Sequence, residues 1–178
     1  MISEKFSICR ATPNDDSLIA DMGARTFKAA FGADNRPEDM EQYLSLNFSK
    51  NHIKAQLSDP SSIFLLGYED CIAVGYVMLR VSKKPISVTG TKPVELARLY
   101  IEEEIIGKGY GSALMNSCLE EAQKNGYRTI WLGVWQKNLR AISFYEKWEF
   151  KKVGTKEFIL GSDLQHDYIM ARPVDMVN

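Results

Sequence analysis

Residues 94–122 read VELARLYIEEEIIGKGYGSALMNSCLEEA, and this stretch decides the fold. Apolar residues over Val94–Ile101 predict a strand, and apolar residues at helical spacing over Leu114–Ala122 predict a helix. Between them, every second residue of Gly107–Gly111 is a glycine, which leaves backbone N–H groups uncovered at the start of the helix. Because such groups bind phosphate, the turn predicts a phosphate site.

Two better-known phosphate motifs do not match this turn. A dinucleotide-binding GxGxxG fingerprint requires glycine where Ser112 stands, and a P-loop requires serine or threonine directly after Lys108. What remains is a short pyrophosphate cradle built from the backbone. The alternative, from these residues alone, is a tight turn whose glycines adopt positive φ angles.

The rest of the chain alternates strand and helix patterns around this segment. The predicted strands are Phe6–Arg10, a hairpin over Ile63–Val81, Val94–Ile101, Thr129–Val134, Phe150–Lys156 and Tyr168–Arg172. The predicted helices are Leu18–Phe31, one opening at Pro37, one following Ser49, one following the glycine turn, and Leu139–Trp148. This order indicates one α/β (α+β) domain over residues 1–178, with helices on the faces of a mixed sheet.

Charge and composition argue against several functions. Lys and Arg number 22 against 23 Asp and Glu, so we expect neither nucleic acid nor a membrane as partner. No apolar stretch reaches membrane-spanning length and the polar start lacks a secretion signal, which predicts a cytoplasmic protein. The cysteines and histidines are too scattered for a metal site, so we expect buried thiols and surface or capping histidines. They are Cys9, Cys71, Cys118, His52 and His166.

A second segment narrows the function. Asn138, Ala141, Phe144 and Tyr145 follow the strand IWLGV at fixed spacing. Together with the glycine turn, this N-x-x-A-x-x-F-Y helix resembles the GNAT superfamily of N-acetyltransferases. The resemblance implies a GNAT-like fold, with a mixed, mostly antiparallel central sheet and helices on both faces. It also implies acetyl-CoA as the cosubstrate, with no metal.

The resemblance implies roles for individual residues. Asn138 approaches the pantetheine arm of coenzyme A, and the backbone of Leu99 and Ile101 pairs with the pantetheine amides. Tyr145 protonates the departing thiolate, which suits a phenol with a pKa of about 10. The turn binds the pyrophosphate through its backbone, and its implied cofactor-binding residues are Gly107, Lys108, Gly109, Tyr110, Gly111 and Ser112.

Glu95 is the candidate general base. The two-residue period of a strand places it on one face with Ala97, Leu99 and Ile101. An ammonium group with a pKa of about 10 must lose a proton before it attacks a thioester, and a carboxylate acting through water is suited to that step. The alternative is that Glu95 forms an ion pair with an Arg or Lys of the sheet.

Two residues depart from the family pattern. Ile106 stands where the family usually has Gln or Arg, which removes a polar side chain from the phosphate site. Glu149 replaces the glycine that commonly follows the second helix, and a left-handed conformation there would cost about 1 kcal/mol.

Longer stretches, from TFKAAFGADNRPEDMEQYL to DLQHDYIMA, resemble the bacterial PaiA-type polyamine acetyltransferases. This resemblance implies spermidine or spermine as the acceptor. Acids at the junction of the first two helices would attract a polycation, although acids at a helix start also stabilise its dipole. They are Asp34, Glu38, Asp39 and Glu41. Of two tryptophans, Trp131 is expected in the core, and Trp135 is left open between core and amine site.

Two other functions remain open on the sequence. One is acetylation of protein N-termini or lysine side chains, which requires an open groove. The other is an acetyl-CoA-binding regulatory protein with little turnover, for which Ile106 is the one indication. The partners expected in every case are acetyl-CoA and, for an enzyme, a small amine, with a homodimer as a further expectation.

Overall fold

The computed structural model describes residues 6–174. The strands are β1 (Phe6–Arg10), β2 (Ser62–Glu69), β3 (Ile72–Arg80), β4 (Pro93–Ile101), β5 (Thr129–Trp135), β6 (Lys151–Leu160) and β7 (Asp163–Pro173). The α-helices are α1 (Asp16–Phe31), α2 (Pro37–Asn47), α3 (Lys50–Ser58), α4 (Tyr110–Lys124) and α5 (Leu139–Lys147). The predicted order of elements is therefore confirmed.

The strands form one sheet in the order β1-β2-β3-β4-β5-β7-β6. Among the strands of residues 6–174, only β4 and β5 run parallel, joined by the α4 crossover, and every other neighbouring pair is antiparallel. The predicted mixed, mostly antiparallel sheet is confirmed.

Helices cover both faces, because strand residues alternate between two apolar cores. Under α4 and α5, Leu132 and Met170 pack with Met115, Cys118 and Ile142. Under α1, α2 and α3, the opposite face packs its own set, Ile19, Met40, Ile53, Phe64, Leu66, Tyr76 and Met78. The two layers hold the sheet fixed between them.

The parallel pair at the centre is short. β4 and β5 pair only over Pro93–Glu95 and Thr129–Trp131. Beyond Glu95 the two strands separate. The facing backbone edges of Leu96–Ile101 and Leu132–Trp135 are therefore not paired with each other. An unpaired backbone edge inside a sheet offers hydrogen bonds to a ligand.

A β-bulge in β4 corrects the predicted faces of that strand. Arg98 lies opposite Met78 and Leu96 opposite Leu79, which leaves Ala97 as the extra residue. The extra residue reverses the alternation, so Ala97 packs under α1–α3 and Leu99 packs under α4. The prediction that Glu95 and Leu99 share a face is therefore wrong, because a strict two-residue period does not survive a bulge.

The last hairpin is longer than predicted. β6 continues to Leu160 and β7 begins at Asp163, joined by the two-residue turn Gly161–Ser162 with Gly161 at φ +60°. Asp39 holds this turn, since its carboxylate oxygens accept hydrogen bonds from the amide (2.9 Å) and hydroxyl (3.0 Å) of Ser162. This short glycine turn was the missed sequence signal.

The expectation for the cysteines is wrong in part. Cys118 is buried under α4, whereas Cys9 and Cys71 are exposed. Cys9 lies near the edge of the sheet on β1, and Cys71 lies in the tight turn between β2 and β3, so neither position is covered by a helix layer.

Glu149 occupies the predicted left-handed position after α5, at φ +65°. We expect Glu149→Gly to raise the free energy of unfolding by about 1 kcal/mol, because glycine adopts this conformation without a Cβ clash. Chemical denaturation measures this. Glu149→Ala is the control, since it also removes the 3.5 Å ion pair with Arg172 but retains the Cβ. Equal stability of the glycine and alanine variants would contradict the strain.

Candidate active site

One cavity of about 600 Å³ passes through the gap between β4 and β5. Its walls come from both sides of the sheet. On the α4 and α5 side they include the glycine turn, Asn138 and Tyr145, and on the α1–α3 side they include Tyr43, Glu95 and Asp167. The separation of two central strands therefore joins the predicted coenzyme site to a second chamber on the opposite face.

The glycine turn presents free amides to this cavity. Gly107 and Gly109 adopt φ angles of +90° and +100°, and the first backbone hydrogen bond of α4 runs from the Ala113 amide to the Gly109 carbonyl at 3.1 Å. The amides of residues 110–112 precede that bond, so they lack intrahelical acceptors and lie at the positive end of the helix dipole. This arrangement is suited to a pyrophosphate.

Not every predicted residue of the turn faces the cavity. Gly107, Gly109, Gly111 and Ser112 line it. The amide of Lys108 donates to the Ile105 carbonyl at 3.2 Å, so the free donors begin after that residue. The Tyr110 side chain is buried against the ring of Phe6, with 5.2 Å between ring centroids, and its contribution is limited to the backbone.

The first turn of α5 positions Asn138 at the cavity. Its side-chain carbonyl accepts a hydrogen bond from the Ala141 amide at 3.1 Å, which caps the helix. The carboxamide nitrogen is then the group left to meet a ligand. The capping role fixes the Asn138 side chain at that wall, and the approach to the pantetheine arm that the family resemblance implies stays a prediction.

Tyr145 lies on the same helix and lines the cavity. Its ring contacts Phe144 and Phe150, with centroid distances of 5.5 and 5.7 Å, so the aromatic packing fixes its orientation. Burial, with a smaller contribution from Cys118, raises the pKa of the Tyr145 phenol, which therefore stays protonated at neutral pH. A protonated phenol at a cavity wall is able to donate to a leaving thiolate.

The end of β4 forms the opposite wall. Leu99 and Ile101 line the cavity, and both lie beyond the last residue that pairs with β5. Their backbone edge is the one that the diverging strands leave open. The predicted backbone contacts to pantetheine are at this edge and stay a prediction.

Glu95 lies at the point where the strands separate. Its carboxylate accepts hydrogen bonds from Arg80 Nε at 2.6 Å and Nη2 at 3.3 Å. Burial raises the pKa of Glu95, but the Arg80 guanidinium outweighs it, and the pKa lies below its ordinary value. The ion pair is therefore formed, as the alternative explanation from the sequence requires, while Glu95 still lines the cavity.

Aromatic rings enclose the chamber on the α1–α3 side. Phe31 packs edge-on against Trp135, with 5.8 Å between centroids, and Tyr43 packs edge-on against Phe158 at 5.6 Å. All four residues line the cavity. Trp135, which the sequence left open, therefore belongs to this chamber. Trp131 is buried beside Val88 and Ile169, as expected for core.

The predicted acidic cluster does not line the cavity. Glu38 is exposed and lies 3.9 Å from Arg36, and Asp39 is engaged by the Ser162 turn. Asp34 and Glu41 are also exposed and outside the walls. Of the two roles that the sequence left open for these acids, their positions outside the cavity favour the structural one, with Glu38 and Asp39 in the first turn of α2.

The chamber instead contains residues that the sequence did not single out. Asp167 and Lys156 enter it from the last hairpin. His52, expected at the surface, is half-buried at its wall, where burial and the charges of Arg98 and Arg80 lower the pKa of the imidazole. Alternation of charged and apolar residues in β7 was the available signal for Asp167.

Residues 6–174 contain no group of three or more His, Cys, Asp or Glu side chains placed to hold a metal ion. The same residues include no helix long and apolar enough to span a bilayer.

The model of the acetyltransferase (GNAT) family matches residues 25–150. The chain belongs to the GNAT acetyltransferase family. An uncharacterized N-acetyltransferase of Mycobacterium tuberculosis is 36% identical to it over 159 residues, which cover 89% of this chain and 97% of that protein. An N-alpha-acetyltransferase of Saccharolobus solfataricus is 29% identical over 159 residues, covering 78% of this chain and 90% of that protein.

Solved structures share the GNAT fold. The PaiA N-acetyltransferase of Thermoplasma acidophilum, in complex with coenzyme A, superposes with a TM-score of 0.77 at 21% identity, covering 94% of this chain and 98% of that chain. The expected GNAT fold is thereby confirmed. This GNAT chain is an acetyl-CoA-dependent N-acetyltransferase, and its free amides and open strand edge fit that cosubstrate.

The glycine turn gives a test of coenzyme binding. We expect Gly107→Ala to weaken acetyl-CoA affinity roughly tenfold, because a Cβ at φ +90° costs about 1–2 kcal/mol and the exposed turn relaxes away from its binding conformation. Isothermal titration calorimetry measures the affinity. Gly126→Ala is a matched control, since Gly126 has φ +76°, equally open space for a Cβ, and a position at the far end of α4. Equal effects on affinity would contradict the cradle.

The Glu95–Arg80 pair gives a pH test. The folded pKa of Glu95 is depressed, so its stabilisation is present above the ordinary value of 4.5 and is lost as pH falls through the folded pKa. Arg80→Met leaves the carboxylate buried and unpaired. We expect the free energy of unfolding to fall by about 2 kcal/mol at pH 7, less than for a fully buried pair, and the loss to shrink toward pH 4.

Urea denaturation between pH 4 and 7 measures this difference. The double variant Arg80→Met/Glu95→Gln is the control, because it lacks the buried charge and its loss of stability should not change with pH. A loss that is constant with pH in the single variant would contradict the pairing.

Proposed function

We propose that this protein transfers the acetyl group of acetyl-CoA to a primary aliphatic amine, with a polyamine such as spermidine or spermine as the acceptor. The observation that carries the proposal is the continuous cavity, which joins the free amides of α4 to an aromatic chamber across the gap between β4 and β5. Aromatic faces attract ammonium groups and accommodate methylene chains, which favours an alkylamine.

Charges in the chamber are consistent with an amine acceptor. Arg98 is held by the Gln56 side chain at 3.0 Å and the Asn47 carbonyl at 3.2 Å, and its guanidinium stacks on Phe48 at 4.7 Å. Arg80 is held by Glu95. The Glu95 carboxylate therefore offsets the charge of Arg80, whereas the partners of Arg98 are neutral and fix only its position.

Two residues have proposed roles in proton transfer. Acetyl-CoA supplies the acetyl thioester when bound. Tyr145 donates its phenolic proton to the departing sulfur, and the low-dielectric wall that raises the tyrosine pKa would also raise that of the thiol, which keeps the two matched. Glu95, predicted as the base, lines the chamber as a carboxylate paired with Arg80, and we infer that it orders water beside the incoming amine.

A second candidate function is acetylation of protein N-termini. It is favoured by the N-alpha-acetyltransferase of Saccharolobus solfataricus, to which this chain is 29% identical. The regulatory protein with little turnover that the sequence left open is not proposed, because the chain belongs to an acetyltransferase family. The cytoplasmic location and the homodimer stay predictions.

A survey of acceptors separates these functions. Purified protein and acetyl-CoA are mixed with spermidine, spermine, a simple alkylamine or an amino-terminal peptide, and free thiol release is followed. We expect turnover with the polyamines and a kcat/KM at least tenfold lower with the peptide. Turnover with the peptide alone would overturn the polyamine proposal, and coenzyme binding without turnover of any of these acceptors would contradict the proposed function.

The role of Tyr145 gives a separate test. We expect Tyr145→Phe to lower kcat about 100-fold, within the range for loss of a general acid, while acetyl-CoA affinity stays within twofold. Tyr127→Phe is the matched control, because Tyr127 packs on the same core but does not line the cavity. Equal kcat values for the two variants would contradict proton donation by Tyr145.

A further inference from the structure

Asp167 is a buried carboxylate that faces the acceptor chamber. Its exposed fraction is 7%, and it lines the cavity from β7. Within residues 6–174, no hydrogen bond or ion pair engages its oxygens, whereas the other buried carboxylates in that part of the chain each have a partner. Those partners are Ser17 and Lys50 for Asp16, Ser162 for Asp39 and Arg80 for Glu95. The Asp167 oxygens are not among the fully enclosed polar atoms without a partner, so they open onto the cavity, where a cationic ligand is able to pair with them.

The sheet places Asp167 close to the gap between the strands. It lies opposite Trp135, the last residue of β5, and opposite Lys156 on β6. Residues opposite each other share a face, so all three point toward the α1–α3 side. Asp167, on β7, therefore lies beside the end of β5, the strand whose separation from β4 opens the cavity.

Because Gly133 has no side chain, the charged groups of Lys156 and Asp167 both fit next to its backbone. A Cβ at Gly133 would lie 2.5 Å from Lys156 Cε, 2.7 Å from Lys156 Nζ and 3.2 Å from Asp167 Oδ2. Lys156 Nζ is nevertheless outside ion-pairing distance of Asp167 among the described residues, and it also lies 5.9 Å from the ring of Trp131. The positive charge of Lys156 therefore acts on Asp167 from a distance, without forming an ion pair with its carboxylate.

Lys156 faces Asp167 from β6 and Tyr43 faces it from α2. Burial raises the pKa of the Tyr43 phenol, and the Asp167 charge adds to that rise. Glu95 and Arg80 pair with each other on β4 and β3. Burial raises the pKa of Asp167 and Lys156 opposes that rise, whereas Arg80 holds the pKa of Glu95 down. Of the two carboxylates, Asp167 is the better proton acceptor.

We propose that Asp167 binds the ammonium group of the acceptor and takes its proton. Glu95 then affects the reaction through its ion pair with Arg80. This inference rests on the proposed function and names a further acceptor-binding residue for it. The ammonium fits because the carboxylate supplies the missing charge, and the rings of Trp135, Tyr43 and Phe158 surround the alkyl chain.

The proton transfer balances without any added reactant. One N–H bond of the ammonium breaks and an O–H bond forms on Asp167, which leaves a neutral amine and a neutral carboxyl group. The amine attacks the thioester carbon, the C–S bond breaks, and the sulfur takes the proton of Tyr145. The second N–H proton returns through solvent to Tyr145, and Asp167 releases its own proton to solvent.

Steady-state kinetics of Asp167→Asn test the proposal. We expect kcat/KM for the amine to fall at least 100-fold while acetyl-CoA affinity and the melting temperature change little, because the amide keeps the shape but neither binds an ammonium as strongly nor accepts its proton. Glu95→Gln is the comparison and should lose less. Asp167→Asn within threefold of wild type would overturn the proposal.

A pH profile distinguishes proton transfer from a structural role. Activity requires ionised Asp167, so kcat/KM falls as pH drops through its pKa. Lys156→Met removes the cation that lowers this pKa, and we expect the acid limb to move to higher pH. An unmoved limb would overturn the proposal. Turnover of an amine with Asp167→Asn unaffected would leave the proposed function intact, whereas no turnover with any amine would overturn both.

Discussion

The structure depends on two parallel strands, β4 and β5, that pair over a short length and then diverge. β4 and β5 share only three residue pairs before they separate, in the middle of a sheet whose other neighbouring strands pair over five or more residues. Backbone donors and acceptors buried along the two open edges require partners. A ligand with amide groups of its own can supply them, and we therefore propose that the gap between these strands holds the active site.

This gap also separates the chemical tasks. Free amides of α4 and the phenol of Tyr145 lie on one face, and the aromatic chamber with its carboxylates lies on the other. The β-bulge at Ala97 assists this division, because it turns Leu99 toward α4 while Glu95 stays on the acceptor side. Buried charge is tolerated in the sheet where a partner is near, as Arg80 is for Glu95.

The proposed coenzyme half of the site lies in local segments of the sequence. The glycine turn and the Asn138–Tyr145 helix are each contiguous, so residues of both reach one cavity without a long-range pairing, and their contacts to the coenzyme stay a prediction. The acceptor half could not be predicted in the same way. Asp167 lines the chamber because β7 lies between β5 and β6 in the sheet, an order that local spacing does not reveal. Of the acids before and within α2, Asp39 binds the Ser162 turn and the others face solvent. The faces of β4 were mispredicted for a similar reason. The position of the β-bulge depends on long-range pairing with β3, which the spacing of residues within β4 does not show.

A crystal structure with acetyl-CoA bound tests the central claim most directly. We predict the pyrophosphate at the amides of residues 110–112, the pantetheine arm along the open edge of Leu99–Ile101, and the acetyl group within the gap, between Tyr145 and the acceptor chamber. A coenzyme bound elsewhere on the surface, or an acetyl group directed away from the gap, would contradict the account.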